Sequence, residues 1–155
     1  MITKKVENKN RNQRIAFEEG IEAWTSFYRA NPHRFIVEVW GINLHLFQQI
    51  IIYMFWHYDM NMLIAARGIG KSFITALYSC VVCVLKPNSK VVLVSATKNQ
   101  SKLMITQKIE KELMVKSPML RREIKEIRTN NQESSVLFHN GSTITAVVSG
   151  ENSRG

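Results

Sequence analysis

Apolar positions follow helical spacing in the first third of this chain and gather into β-type runs after it. Ala16, Phe17, Ile21, Trp24 and Tyr28 recur at three- and four-residue intervals, which predicts an amphipathic helix over 16–28 that Asn31-Pro32 closes. A second helix is expected from about Asn43 to His57. The pattern then changes. Met62–Ala66 is a short continuous apolar run ending at glycines, as in a strand covered on both faces. Beyond the glycines, Phe73, Leu77, Cys80, Val81 and Val84 return to helical intervals until Lys86-Pro87-Asn88 stops them. Lys90–Ala96 is the strongest strand, rich in β-branched residues and without polar alternation. Thr97-Lys98-Asn99-Gln100 fits a capping box that opens a helix reaching about Lys116. Ser117-Pro118 breaks it and starts a short helix through Glu126.

After a polar gap at 129–134, two β-rich runs, Ser135–His139 and Ser142–Val148, flank Asn140-Gly141. That arrangement predicts a hairpin, with a type I′ turn because both central residues tolerate positive φ. The order strand, helix, strand, helix implies parallel pairing through right-handed crossovers, hence an α/β sheet flanked by helices with a C-terminal β-hairpin. At 155 residues the chain suits one compact domain. Its polar, basic start reads as a disordered arm over 1–14, leaving a domain over 15–155.

Composition narrows the partners. The apolar share of 45% excludes wholesale disorder. A formal net charge of +9 and a pI of about 9.8 favour polyanions, of which nucleic acid is the commonest. Nine Lys and Arg lie between Lys98 and Arg128, with Glu110, Glu112, Glu123 and Glu126 interspersed. A DNA-facing surface and an ordinary solvated helix face both fit that stretch. The longest apolar runs, Ile50–Trp56 and Phe73–Leu85, fall short of the ~18 residues of a membrane span, so a soluble cytosolic protein is expected. Cys80 and Cys83 form a C-x-x-C, but no second ligand pair accompanies it and His33, His45, His57 and His139 are scattered. Both cysteines are expected in the core, as small buried hydrophobes.

The candidate chemistry sits between the first strand and the helix that follows. Arg67-Gly68-Ile69-Gly70-Lys71-Ser72 has the residues of a phosphate-binding loop. Glycines 68 and 70 let backbone N–H groups converge on phosphate oxygens, and the following helix directs its N-terminal dipole at the same anion. Lys71 would reach the β- and γ-phosphates of a nucleoside triphosphate, and the Ser72 hydroxyl would ligate Mg²⁺. The strict pattern asks for glycine at position 65, where this chain has alanine. Arg67 suits either a cis arginine finger on the transferring phosphoryl group or a ground-state clamp or salt bridge.

In order and spacing, these residues resemble the N-terminal ATPase of phage terminase large subunits over roughly Trp40 to Gly155. Leu44-His45-Leu46-Phe47-Gln48 is similar to the family's adenine motif, and the Arg-x-x-Gly-Lys-Ser loop to its phosphate loop, which often lacks the first glycine. Val94–Gln100 looks like the second strand running into its helix. Asn140-Gly141-Ser142 with Ser153-Arg154-Gly155 looks like the segment preceding the family's acidic motif. The resemblance implies a P-loop NTPase of the ASCE, RecA-like kind with a partial parallel sheet. It implies ATP and Mg²⁺ as cofactors, held by Gln48, Arg67, Gly68, Ile69, Gly70, Lys71, Ser72 and Phe73, with Lys71 and Arg67 catalytic and Ser72 on the metal. Gln48 would read the adenine edge, with Gln49 beside it the nearest competitor. Ser95 and Thr97 would lie at the carboxyl end of a strand, where such sheets place ligands, although capping accounts for Thr97 equally. Arg154 would be a coupling residue or a surface arginine.

By the same resemblance the whole protein would be an ATP hydrolase driving DNA into proheads, usually carrying a C-terminal endonuclease. It would work as a homo-oligomeric ring in the host cytoplasm, transiently on the prohead. Its partners would be double-stranded DNA, the portal protein and the small terminase subunit, with no membrane. The family's Asp-Glu strand follows the segment matched at 153–155, so the expectation is a chain cut before that motif, able to hold a nucleotide and poor at hydrolysing it. Two other readings share features with this one. A superfamily 2 helicase-like ATPase has a similar loop, glutamine motif and strand end, and a basic nucleic-acid-binding module would use the glycines only to turn the chain.

Overall fold

The computed structural model describes residues 2–130 and 134–149, with side chains for residue 11 and from residue 13 onward. The chain divides into two units, Met1–Asn31 and Pro32–Gly155. The first is one helix, α1 (Ile2–Ala30), longer than the periodicity over 16–28 suggested and running through the segment read as a basic arm. Edge-to-face contacts of Tyr28 with Trp24 (4.8 Å) and with Phe27 (5.2 Å) order its last turns.

The second unit is α/β. Its helices are α2 (Pro32–Glu38), α3 (Leu46–His57), α4 (Lys71–Leu85), α5 (Lys98–Leu103), α6 (Met114–Lys116) and α7 (Pro118–Glu123). A π-helical stretch, Met104–Leu113, joins α5 to α6, so the helix expected from Thr97 to Lys116 is continuous but wider in its middle. Local chemistry sets its ends. Thr97 accepts from the Gln100 amide (3.3 Å) at the start. Ser117 accepts from Leu120 (3.2 Å), with Pro118 at the first position of α7.

The strands are β1 (Lys90–Ser95), β2 (Ile124–Thr129), β3 (Ser134–Phe138) and β4 (Thr143–Val148), in the order β1-β4-β3-β2. β1 pairs parallel to β4, while β3 pairs antiparallel to both β4 and β2. The sheet is therefore mixed. α4 and the π-helical stretch pack on it, and the core is built from Ile74, Leu77, Cys80 and Val81, from Ile105, Ile109 and Leu113, and from Val136, Phe138 and Ile144 of the sheet.

Four expectations are corrected. Met62–Ala66 is not a strand: β1 ends the sheet, no ladder reaches this run, and Met60, Met62 and Ile64 are each at least 85% exposed. Apolar character marks a buried-type run, but a strand exists only with a neighbour to complete its hydrogen bonds. β1 is likewise not covered on both faces, since Val92 and Val94 stand exposed. β2 forms where the short helix was expected to continue. Its Lys125, Glu126 and Arg128 conceal an edge strand, a placement where charge is common. The hairpin turn is not type I′ either. Only Gly141 has positive φ (82°), Gly141 donates to the Phe138 carbonyl and Phe138 to that of Ser142, which is a type I turn closed by a left-handed glycine.

Candidate phosphate-binding site

The loop Arg67–Gly70 leads directly into α4. Gly68 (φ 91°) and Gly70 (φ 89°) both adopt left-handed backbone, which glycine takes without strain, and Gly70 is the N-cap of α4. A Cβ on Gly68 would meet nothing within 4 Å, so the backbone there lies open. One on Gly70 would touch the Gln48 amide nitrogen at 3.7 Å. The first-turn amides of α4 have no side-chain cap and point toward the loop.

Lys71 folds back beneath this loop. Its Nζ donates to the carbonyls of Ala65 (2.7 Å) and Ala66 (2.6 Å). The ammonium thereby takes its acceptors from the segment that was expected to be a strand. Ser72 is exposed at the first turn of α4, Phe73 is half-buried behind it, and Ile69 and Arg67 are exposed. Gln48 is buried at the start of α3, where its Oε1 accepts from the His45 amide (3.0 Å). The neighbouring Gln49 donates to the Leu44 carbonyl (3.1 Å). Of the two glutamines, Gln48 is the one that lines a cavity with Gly68, Ile69, Gly70 and Phe73.

Three openings surround the loop. One of about 590 Å³ is bounded by Arg67, Gly68, Gly70, Lys71, Ser72 and, across from them, Gln100 and Lys108. This lies within the ~300–1,000 Å³ usual for small-molecule sites. A second, of about 460 Å³, reaches from the loop to Gln48, and the third runs from Lys71 and Ser72 to the carboxyl end of β1 at Ser95. The wall opposite the loop is the part the sequence pattern did not single out. There Glu112 accepts from Lys108 (2.8 Å) and from Lys116 (2.9 Å), and Lys116 also lies 4.7 Å from the centre of the Phe73 ring. The Lys108 hydrogen bond, with that of Lys116, holds the Glu112 carboxyl below its usual range against the opposing effect of burial. The 108, 112, 116 spacing is an i, i+4 series in the sequence, but within the nine-cation stretch it fits a DNA-facing surface and a solvated helix face equally, and neither singles out a wall of this site.

No protein-family model matches this chain, and no curated protein sequence is closely similar to it.

The remaining motif residues take structural positions. Thr97 caps α5, and Ser95 hydrogen-bonds Ser101, which in turn donates to the Val147 carbonyl (2.8 Å). Asn140-Gly141-Ser142 lies at the far end of α4 from the loop, where the Asn140 amide donates to the Cys83 carbonyl (2.8 Å). Fifteen residues of helix separate the two ends, roughly 22 Å at 1.5 Å per residue. Ser153, Arg154 and Gly155 lie outside the described residues. Cys80 and Cys83 are buried on α4 with their thiols pushed up by desolvation. Among the described residues no group of three or more His, Cys, Asp or Glu is placed to hold a metal ion. None of the described helices is long and apolar enough to cross a membrane.

Proposed function

We propose that the chain is the ATP-binding, N-terminal part of a phage terminase large subunit, the motor that drives DNA into proheads. The observation that carries this reading is the loop itself. Two left-handed glycines open its backbone, a lysine sits at the first position of a fifteen-residue helix, and the cavity opposite is lined by cations. Bound ATP would set its phosphates against the open backbone at Gly68 and Gly70 and take Lys71 from the Ala65 and Ala66 carbonyls. Ser72 would supply a hydroxyl to Mg²⁺, whose other ligands would come from phosphate and water. The base would lie toward Gln48 and Phe47, which share the cavity that begins at Gly68. In the motor, bound ATP supplies the phosphoryl group whose transfer to water releases the energy for packaging. Arg67 would neutralise its charge.

The test is calorimetric titration of ATP into the protein and into Lys71→Ala. Removing a charge-assisted contact is expected to weaken binding by roughly ten- to a hundredfold. Unchanged affinity in Lys71→Ala would end the phosphate-loop reading.

A further inference from the structure

We infer that Lys108 is a third cation for the polyphosphate of the nucleotide, held ready by Glu112, an inference that rests on the phosphate-loop reading above. Lys108 lines every one of the three cavities that meet the loop, and in the 590 Å³ opening it faces Arg67, Gly68, Gly70, Lys71 and Ser72. It projects from the middle of the π-helical stretch. Its i+5 bonding widens the turn, and such stretches are uncommon and tend to occur at functional positions. Among the described residues, Arg67, Lys71, Lys108 and Lys116 line the 590 Å³ opening and the one that reaches Gln48, together with a single carboxylate, Glu112. That surplus suits a ligand carrying several negative charges rather than one.

Glu112 bonds both Lys108 and Lys116, so it fixes two flexible ammonium groups at the wall before any ligand arrives. The same carboxylate opposes an incoming phosphate. A phosphate oxygen would take over the acceptor role from Glu112 at Lys108, while Lys116 would keep the carboxylate in place. Lys108 is then a binding residue, and Glu112 its resting partner, whose competing charge outweighs the positioning it provides and lowers ATP affinity on balance.

These two roles carry opposite signs, which separates them from a surface ion pair that only braces the helix. ATP and adenosine are titrated into the protein and into Lys71→Ala, Lys108→Gln, Lys108→Arg, Glu112→Gln and Lys111→Gln. The last removes one charge from the same helix outside the loop cavities. Lys108→Gln is expected to weaken ATP about tenfold and leave adenosine unchanged, as for loss of one charge-assisted contact. Lys108→Arg should stay within about threefold, and Glu112→Gln should bind ATP roughly two- to tenfold more tightly. If Lys71→Ala weakens ATP while Lys108→Gln matches Lys111→Gln, the role of Lys108 is overturned and the loop reading stands. Weaker ATP binding by Glu112→Gln overturns the role given to that carboxylate. If Lys71→Ala binds ATP as the parent does, both readings fall together.

Discussion

At the scale of single residues, the loop divides into what composition dictates and what only packing reveals. Glycine at 68 and 70 followed from the need for an open backbone, and both adopt left-handed φ. At Gly68 nothing crowds a Cβ, so the cost of Gly68→Ala is conformational alone. It should lower stability by about 1–2 kcal/mol in urea denaturation, the penalty of a left-handed alanine. The fold-back of Lys71 onto Ala65 and Ala66 was not legible, because it depends on where a neighbouring segment goes after failing to pair. Nor was the bond of Gln48 to its own helix start, which a reading of that residue as an adenine contact had no reason to include. Glu112 offers a pH test at this scale. Its folded carboxyl titrates below the ordinary 4.5, so its contribution is present above that value and is lost as pH falls through the lowered one. Acid titration followed by circular dichroism should show a loss below pH 4.5 that is smaller in Glu112→Gln. Equal losses in the two proteins would mean the ion pairs are fully screened.

At the scale of elements, α4 joins the two ends of the second unit. Its N-terminus opens on the loop, and its C-terminus is closed by a turn some sixty residues further on. Asn140 donates to the Cys83 carbonyl while its own oxygen accepts from the Ser142 amide. Ser142 accepts from the Ser89 amide (3.1 Å) and donates to the Lys86 carbonyl (3.2 Å), and it is fully buried. The Asn-Gly pair announced a hairpin, and a hairpin is there. Its second task, sealing the helix end and the α4–β1 connection, involves partners distant in sequence and carries no local signature. Ser142→Ala would leave the half-buried Ser89 amide without this acceptor, and losing such a hydrogen bond costs about 0.5–1.5 kcal/mol. Thermal or urea unfolding should show that drop with nucleotide affinity unaffected, because the turn lies at the other end of α4.

At the scale of the second unit, alternating helix and strand signals led to an α/β sheet, and the sheet is α/β. Its mixed order was not legible, because pairing direction depends on which strands become neighbours. Met62–Ala66 found no partner, β2 joined as a charged edge, and only β1 and β4 run parallel. What unites the layers is the buried face of α4, where Cys80 and Cys83 pack against the sheet and Cys83 lies 3.7 Å from the Thr143 carbonyl. This placement turns the C-x-x-C pair into a measurable property of the core. Burial pushes the Cys83 thiol from 9.0 up to about 12, and that of Cys80 up as well. The fold therefore favours the neutral thiol. Its contribution is complete below pH 9.0, shrinks as the unfolded chain begins to ionise, and is lost as pH rises through about 12. A metal or redox pair would behave in the reverse way, with thiolates stabilised in the folded protein. Two measurements separate these cases. Alkylation at pH 8 should proceed only as fast as the protein opens, and stability should decline above pH 9 less steeply in Cys83→Ala than in the parent. Rapid alkylation of the native protein at pH 8 would place the thiols outside the core and undo the packing of α4 on the sheet.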